Sequence, residues 1–536
     1  MLHREKSYEA LRQSFRWVIP TKYNIAASVC DDWALIDPDR PAIYDATYAT
    51  PRVTTYDDLR ISSNRLASFL KARGISHGDR VAILLPQMAE VAIAHIAAYK
   101  LATIAVPLAA LFGSEALGFR LKDSGARVLI TDAGGCAKLR TLLDTLPDLE
   151  IIISIDGPDG DILGFDRCLA SSSCDFDRAD TCADDEAMMI YTSGTTGPPK
   201  GAIHAHRVLL GHLPGVQLPH EFLPQPNDRF WTPADWAWAG GLLNVLLPSL
   251  HLGVPVVARR TIGFDPDDAL ELMARMQIRN VFLPPTALRM MRNASPKSYS
   301  GMNLRTIASG GESLGTEIYH WGQRTFGLAI NEFYGQTECN LVIASCAQIG
   351  TTRAGAIGRA VPGHDVDIIR ADGSICGNGE MGQIAIRRPD PVMFLGYWKQ
   401  PEATAAKFIG DWMTTGDLGR RDADGYIYFM SRDDDVITSS GYRIGPGEVE
   451  DCLLGHPAVL MSAAIGKPDP LRTEIVKSFV VLRDGIEPST TLTKELQEFV
   501  RARLSAHEYP REIEFVTSLP LTTSGKIIRR HLRERP

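Results

Sequence analysis

At 536 residues the chain exceeds what one hydrophobic core supports, because single cores stop growing near about 250–300 residues. Hydrophobic residues make up 45% and charged residues 22%, a globular composition that excludes a disordered chain. The net charge of −8 argues against sequence-independent nucleic-acid binding, which needs a basic surface.

Met1 to Tyr23 mixes Arg4, Lys6 and Arg12 with Glu5 and Glu9. It lacks the apolar segment of a secretory signal. Thr55 is placed to cap a helix in which Leu59, Leu66, Phe69 and Leu70 recur at helical spacing, with Gly74 as its stop. Val81 to Leu85 follows as a continuous apolar strand of the kind buried in parallel sheets, and Ala187 to Ile190 is another short strand. Ala237 to Ala258 is the charge-free apolar stretch that tests for a membrane span. Its Pro248, His251, Gly253 and Pro255 favour a buried helix followed by a strand.

Beyond it, Asp268–Gln277 and Thr316–Phe326 read as helices. Val281–Leu283, Leu304–Ser309 and Leu328–Tyr334 read as strands. Strands alternating with helices predict an α/β fold with parallel sheets, whose ligands sit beyond the strand C-termini. From Gly363 the texture changes. The short alternating stretches Val366–Ile369, Gln383–Ile386 and Tyr426–Met430, broken by Asp-Gly and Gly-rich turns, predict a small antiparallel or barrel-like subdomain. A new unit starts after the run Arg432-Asp433-Asp434-Asp435. The expected division is residues 1–431, a large domain of parallel or mixed sheets flanked by helices, and residues 432–536, a small α+β domain. The nine cysteines form no Cys-x-x-Cys pair, so disulfides and structural zinc are not expected and a cytoplasmic location fits.

Five motifs stand at or after these strands. Tyr191-Thr192-Ser193-Gly194-Thr195-Thr196-Gly197-Pro198-Pro199-Lys200-Gly201 is rich in small residues whose backbone N–H groups can converge on phosphate oxygens, with Lys200 adding a charge. It lacks the Walker A spacing, and alone it would read more readily as a surface loop. Tyr334-Gly335-Gln336-Thr337-Glu338, Thr414-Thr415-Gly416-Asp417, Ser440-Gly441-Tyr442-Arg443-Ile444-Gly445-Pro446 and Thr523-Ser524-Gly525-Lys526 follow in order. Taken singly, Glu338 would be a solvated surface carboxylate and Lys526 a tail lysine beside Arg529, Arg530, Arg533 and Arg535.

The ordered set resembles the adenylate-forming superfamily of acyl-CoA synthetases, adenylation domains and beetle luciferases, from Tyr56 to Arg530. The resemblance implies that a carboxylate is joined to ATP with release of pyrophosphate. It further implies that Thr192, Ser193, Gly194, Thr195, Thr196, Gly197 and Lys200 wrap the phosphates. Thr195 and Glu338 would hold Mg²⁺ and act in catalysis. Gly311, Glu312 and Ser313 would line the adenine. Glu332, Phe333 and Tyr334 would cover the base from the other side, with Tyr334 stacking on it, and Gln336 and Thr337 would complete the nucleotide site. Asp417 would accept hydrogen bonds from the ribose diol, which suits its two acceptor oxygens, and Arg432 would touch the ribose or phosphate. Lys526 would bridge the carboxylate and α-phosphate, where a mobile point charge suits a group needed in one half-reaction. Asp434 matches the hinge about which the small domain turns as a mobile lid. Turning would bring in Ser440, Gly441, Tyr442 and Arg443 around coenzyme A, with Gly441 leaving room for the pantetheine arm.

The Ser440–Pro446 segment and Thr232–Gly241 are similar to the acetyl- and medium-chain branch of that superfamily. The acyl pocket would be formed by Trp238, Ala239, Gly240, Gly310 and Gly335. Gly335 stands where acetyl enzymes carry a tryptophan, which would leave room for a longer or ring-bearing acid. Three buried methylenes at about 0.8 kcal/mol each would favour such an acid about 60-fold. CoA is the expected acceptor. The alternatives are a separate carrier protein, an oxygenase of luciferase type and an inactive nucleotide-binding homologue. Expected partners are the acid, ATP and CoA, with no nucleic acid and no membrane span; a homo-oligomer is left open.

Overall fold

A computed structural model describes residues 2–192, 198–261, 263–292, 294, 301–432, 435–439, 442–469, 472–504, 508–522 and 527–535, with only the backbone of Thr438, Tyr442 and Arg443. The fold is mixed α/β. Among the described residues the part before Asp435 holds three sheets. One has nine strands, and five of these, Val256–Ala258, Phe230–Trp231, Asn280–Phe282, Thr306–Gly310 and Ile330–Gln336, lie side by side and parallel. The second has eight strands. Arg80–Leu84 lies parallel to Ile104–Pro107 and Val128–Thr131 at its centre, and an antiparallel hairpin, Glu186–Thr192 with Lys200–Ala205, stands toward one edge.

These strands follow from the sequence. Ile104–Pro107, Val128–Thr131 and Thr306–Gly310 are buried along their whole length, as expected of parallel strands covered on both faces. The helix Tyr56–Lys71 begins where predicted: the Thr55 hydroxyl accepts from Asp58 N at 3.2 Å, and Thr55 N donates to the Asp58 carboxylate at 2.9 Å. Each side chain thereby satisfies a backbone donor that the helix start leaves without a partner. Ala237–Ala258 forms the helical turns Ala239–Gly241, Leu242–Leu246 and Leu247–Leu252 and then the strand Val256–Ala258. No helix among the described residues is long and apolar enough to cross a membrane.

The third sheet is the antiparallel subdomain expected after Gly363. Val366–Ile369, Met381–Arg387, Trp412–Arg421 and Phe408–Ile409 pair in that order, and Ile427–Arg432 joins Trp412–Arg421. One apolar cluster draws on all three sheets, through Ile43 and Val256, Val81 and Ile190, and Ile368 and Ile384. The chain after Asp435 builds a separate sheet from Ile437–Ser439, Tyr442–Ile444, Val459–Asp469, Thr473–Leu482 and Glu512–Phe515. Its own core includes Val449, Leu453, Val476, Leu496 and Val500. All nine cysteines are free thiols.

Candidate active site

Two neighbouring parallel strands, Thr306–Gly310 and Ile330–Gln336, end at the same edge, with Gly310 opposite Phe333. Their C-termini deliver Gly310-Gly311-Glu312-Ser313 and Tyr334-Gly335-Gln336 to one place. A Cβ on Gly310 would lie 2.4 Å from the Phe333 ring, so only glycine allows the two strand ends to meet. From the antiparallel subdomain, Asp417 reaches the same place. It is 5% exposed. Its Oδ2 accepts from the Tyr334 hydroxyl at 2.6 Å and from Gln336 Nε2 at 2.7 Å. Arg432, its cross-strand partner, brings Nη1 to 3.6 Å from Oδ1. Burial and the Asp417 charge push the Tyr334 phenol well above its usual range, so it remains a protonated donor. The result is a buried carboxylate with one oxygen fixed by two donors and the other beside a guanidinium, a fitting acceptor for hydroxyl groups.

The residues expected to face the phosphates stand on the second sheet. Thr192 and Lys200 are register partners in the hairpin that carries the glycine-hydroxyl loop. The short strand Gly396–Tyr397 pairs with Ala202 and Ile203, so Tyr397 lies beside Lys200, whose Nζ is 5.2 Å from the centre of its ring. The Tyr397 hydroxyl donates to Glu338 Oε1 at 2.5 Å, and Phe394 N donates to the Glu338 carbonyl at 2.8 Å. Glu338 is 8% exposed. Among the described residues no group of three His, Cys, Asp or Glu side chains could hold a metal ion. One carboxylate beside substrate phosphates does fit magnesium, which is commonly bound through one or two carboxylates plus phosphate oxygens.

The predicted adenine loop is clamped in a way the sequence did not reveal. The Glu312 carboxylate accepts from the Thr286 hydroxyl at 2.9 Å and from Arg289 Nη1 at 3.0 Å, while Arg289 Nη2 donates to the Ser313 carbonyl at 2.8 Å. Glu312 thus ties its loop to the helix Pro285–Met291. Glu332 Oε1 accepts from Leu314 N at 3.2 Å, and burial of its carboxyl pushes its pKa up to about 8. Thr286 and Arg289 carry no sequence signal beyond an ordinary helix. Tyr397 carried a faint one, an aromatic pair with Trp398 outside any helical or strand period.

Where the acyl pocket is expected, Trp238 meets Phe112 edge-on at 5.6 Å and opens the helical turn Ala239–Gly241. A Cβ on Gly240 would lie 3.2 Å from the Phe282 ring, and Phe282 packs on Phe333 at 5.1 Å. Gly240 and Gly310 thus both abut this phenylalanine pair, whose Phe282 was not singled out from the sequence. The reading of Gly335 as an emptied tryptophan site needs correction. A Cβ there would lie 1.7 Å from the Asn340 carbonyl oxygen, because the pairing with Asn340–Ala344 shifts register between Tyr334 and Gly335. The hairpin itself requires glycine at 335, so its small size is no measure of pocket room.

The structure therefore brings Tyr334, Gln336, Asp417 and Arg432 together, and joins Lys200 to Glu338 through Tyr397. The Thr192 hydroxyl lies 3.5 Å from the Lys200 carbonyl. Ser193, Gly194, Thr195, Thr196, Gly197, Asp434, Ser440, Gly441 and Lys526 lie outside the described residues, as do the side chains of Tyr442 and Arg443.

Residues 30–398 match the family model of the AMP-binding enzyme, and residues 448–526 match that of the AMP-binding enzyme C-terminal domain. The chain belongs to the AMP-binding enzyme family. It is 32% identical to the uncharacterized acyl-CoA ligase YtcI of Bacillus subtilis over 97% of either chain. It is 34% identical to the human mitochondrial acyl-coenzyme A synthetase ACSM2B, over 96% of this chain and 91% of that protein. Among solved structures it is similar to the anthranilate CoA ligase AuaEII in complex with anthranoyl-AMP, with a TM-score of 0.88 and 28% identity over 96% and 97% of the two chains.

Proposed function

We propose that the chain is an AMP-forming acyl-CoA synthetase acting on an acid larger than acetate. The observation that carries this reading is the convergence of Tyr334, Gln336 and Arg432 on the buried Asp417, in a chain similar along its length to acyl-CoA ligases. In the first half-reaction a carboxylate oxygen attacks the α-phosphorus of ATP, and the bond to the β-phosphate oxygen breaks as pyrophosphate leaves. In the second, the CoA sulfur attacks the acyl carbon, the thiol proton is lost and AMP departs.

Asp417 and Arg432 grip the ribose, and Tyr334 and the Gly310–Ser313 loop flank the base. Lys200 and the Ser193–Gly197 loop face the β- and γ-phosphates. Magnesium, held by Glu338 with the phosphates, would neutralise charge that builds up there as pyrophosphate leaves. Lys526 bridges the carboxylate and α-phosphate. Residues 432–536 then turn near Asp434, so that Ser440–Arg443 replace Lys526 for the thiol step. The free thiols suit a reducing, cytoplasmic setting.

The preference for a larger acid is supported by Gly240 and Gly310 beside the Phe282–Phe333 pair and by the aromatic acyl-adenylate in the similar AuaEII structure. CoA-dependent AMP release should be measured across a panel from acetate to octanoate, benzoate and anthranilate. Acetate giving the highest kcat/KM would refute the acid assignment, and AMP release with no CoA dependence would refute the acceptor.

A further inference from the structure

Tyr397 touches both charged groups of the proposed phosphate site and belongs to none of the five motifs. Its hydroxyl donates to Glu338 Oε1 at 2.5 Å, and its ring lies 5.2 Å below the Lys200 ammonium, within cation–π range. Its backbone is pinned on both sides. Tyr397 N donates to the Thr404 hydroxyl at 2.8 Å, Leu395 N to the Ile203 carbonyl at 2.7 Å and Trp398 N to the Gly201 carbonyl at 2.7 Å. The ring also meets Phe394 edge-on at 5.0 Å. A tyrosine so held has little freedom to follow its partners, so the partners take their positions from it.

We infer that Tyr397 is a positioning residue for the metal–phosphate site, its hydroxyl fixing the Glu338 carboxylate and its ring seating Lys200. The inference rests on the reading of Glu338 as cation ligand and Lys200 as phosphate contact. With Oε1 occupied by the phenol, Glu338 presents Oε2, which takes no hydrogen bond from a described group. A single cation ligand with a fixed orientation loses less freedom on binding than a swinging one. Partners that orient a metal ligand in this way typically contribute about 10- to 100-fold in metal affinity.

Tyr397→Phe removes the hydroxyl and keeps the ring; Tyr397→Leu removes both. In the full-length enzyme, Mn²⁺ binding with a non-hydrolysable ATP analogue is followed by electron paramagnetic resonance, and the Mg²⁺ dependence of ATP–pyrophosphate exchange is followed alongside. Tyr397→Phe should raise the Mn²⁺ dissociation constant and the half-saturating Mg²⁺ about 10-fold or more, while keeping most of the rate at saturating Mg²⁺. Tyr397→Leu should in addition weaken nucleotide binding at saturating metal. In a Glu338→Gln background, Tyr397→Phe should add almost nothing, since the two act as one unit. An unchanged metal dependence in Tyr397→Phe, or a uniform rate loss at every metal concentration, would overturn the positioning role. A wild-type enzyme that binds the analogue with no metal dependence would instead remove the metal reading beneath it.

Discussion

Glu332 ties down the chain just after the Gly310–Ser313 loop through Leu314 N, and burial favours its neutral carboxyl. Its carboxyl pKa is pushed from 4.5 up to about 8, chiefly by burial. Between those values the unfolded chain releases a proton that the folded protein keeps. Stability therefore falls as pH rises from about 4.5 to about 8 and is flat with respect to this group above that. Glu332→Gln keeps an acceptor for Leu314 N and has no proton to lose. Thermal melts across pH 5 to 9 should show a shallower decline for the variant. A variant curve parallel to wild type would place the titration elsewhere. Glu312, by contrast, is held by Thr286 and Arg289 on the adjoining helix.

At the scale of elements, the helix Thr316–Phe326 has no cap of its own, because its N-cap is Gly315. The cap comes from the C-terminal part of the chain. Asp451, on the helix Pro446–Leu454, accepts from Thr316 N at 3.0 Å and from the Thr316 hydroxyl at 2.9 Å. Gly315 sits at φ +78°, and a Cβ there would lie 2.1 Å from Asp451 Oδ1, so the contact admits no side chain. Asp451→Ala should cost about 1 kcal/mol, the usual value of a lost cap. Chemical denaturation should show the loss, with Asp451→Asn keeping most of the wild-type stability and Thr316→Val adding little once Asp451 is gone. A loss shared equally by Asn and Ala would mean that charge, not capping, holds the contact. The helix itself was plain in the sequence, as was the Thr55 cap, because both depend on residues a few positions apart. Asp451 was not, because its partner lies in another unit. The same distance hid Tyr397, which meets Lys200 only through sheet pairing, and it made Gly335 misleading: a glycine demanded by a register shift looks, in sequence, the same as one that clears a pocket. Asp417 was legible as a motif residue, though its partners Tyr334 and Gln336 emerge only when two sheets meet.

Across the whole molecule, the proposed exchange of Lys526 for Ser440–Arg443 predicts opposite lesions. Lys526→Ala should slow acyl-adenylate formation about 10²- to 10³-fold, the effect of losing one transition-state donor, and leave thioester formation from supplied acyl-adenylate nearly intact. Gly441→Leu should do the reverse. Pre-steady-state assays of the separate half-reactions decide, and equal losses in both would count against rotation. The C-terminal part is tied together internally, as the proposed turn requires. Arg529 donates to Glu450 at 2.7 Å and lies 3.4 Å from Asp435, and Arg533 donates to Asp435 at 2.7 Å. The last helix is thereby fastened to both ends of the segment that carries Ser440–Arg443.

The cross-strand pairing of Asp417 with Arg432 has a mechanical consequence. Arg432 is the last residue of its strand, so the proposed nucleotide grip lies almost on the axis of any swing that begins just beyond it. Points on a turning body travel in proportion to their distance from the axis. The sugar of the bound nucleotide would hardly feel the turn, while groups at the far rim of the C-terminal unit would sweep a long arc. One intermediate can thus stay anchored by its ribose while the chemistry around its acyl end is exchanged.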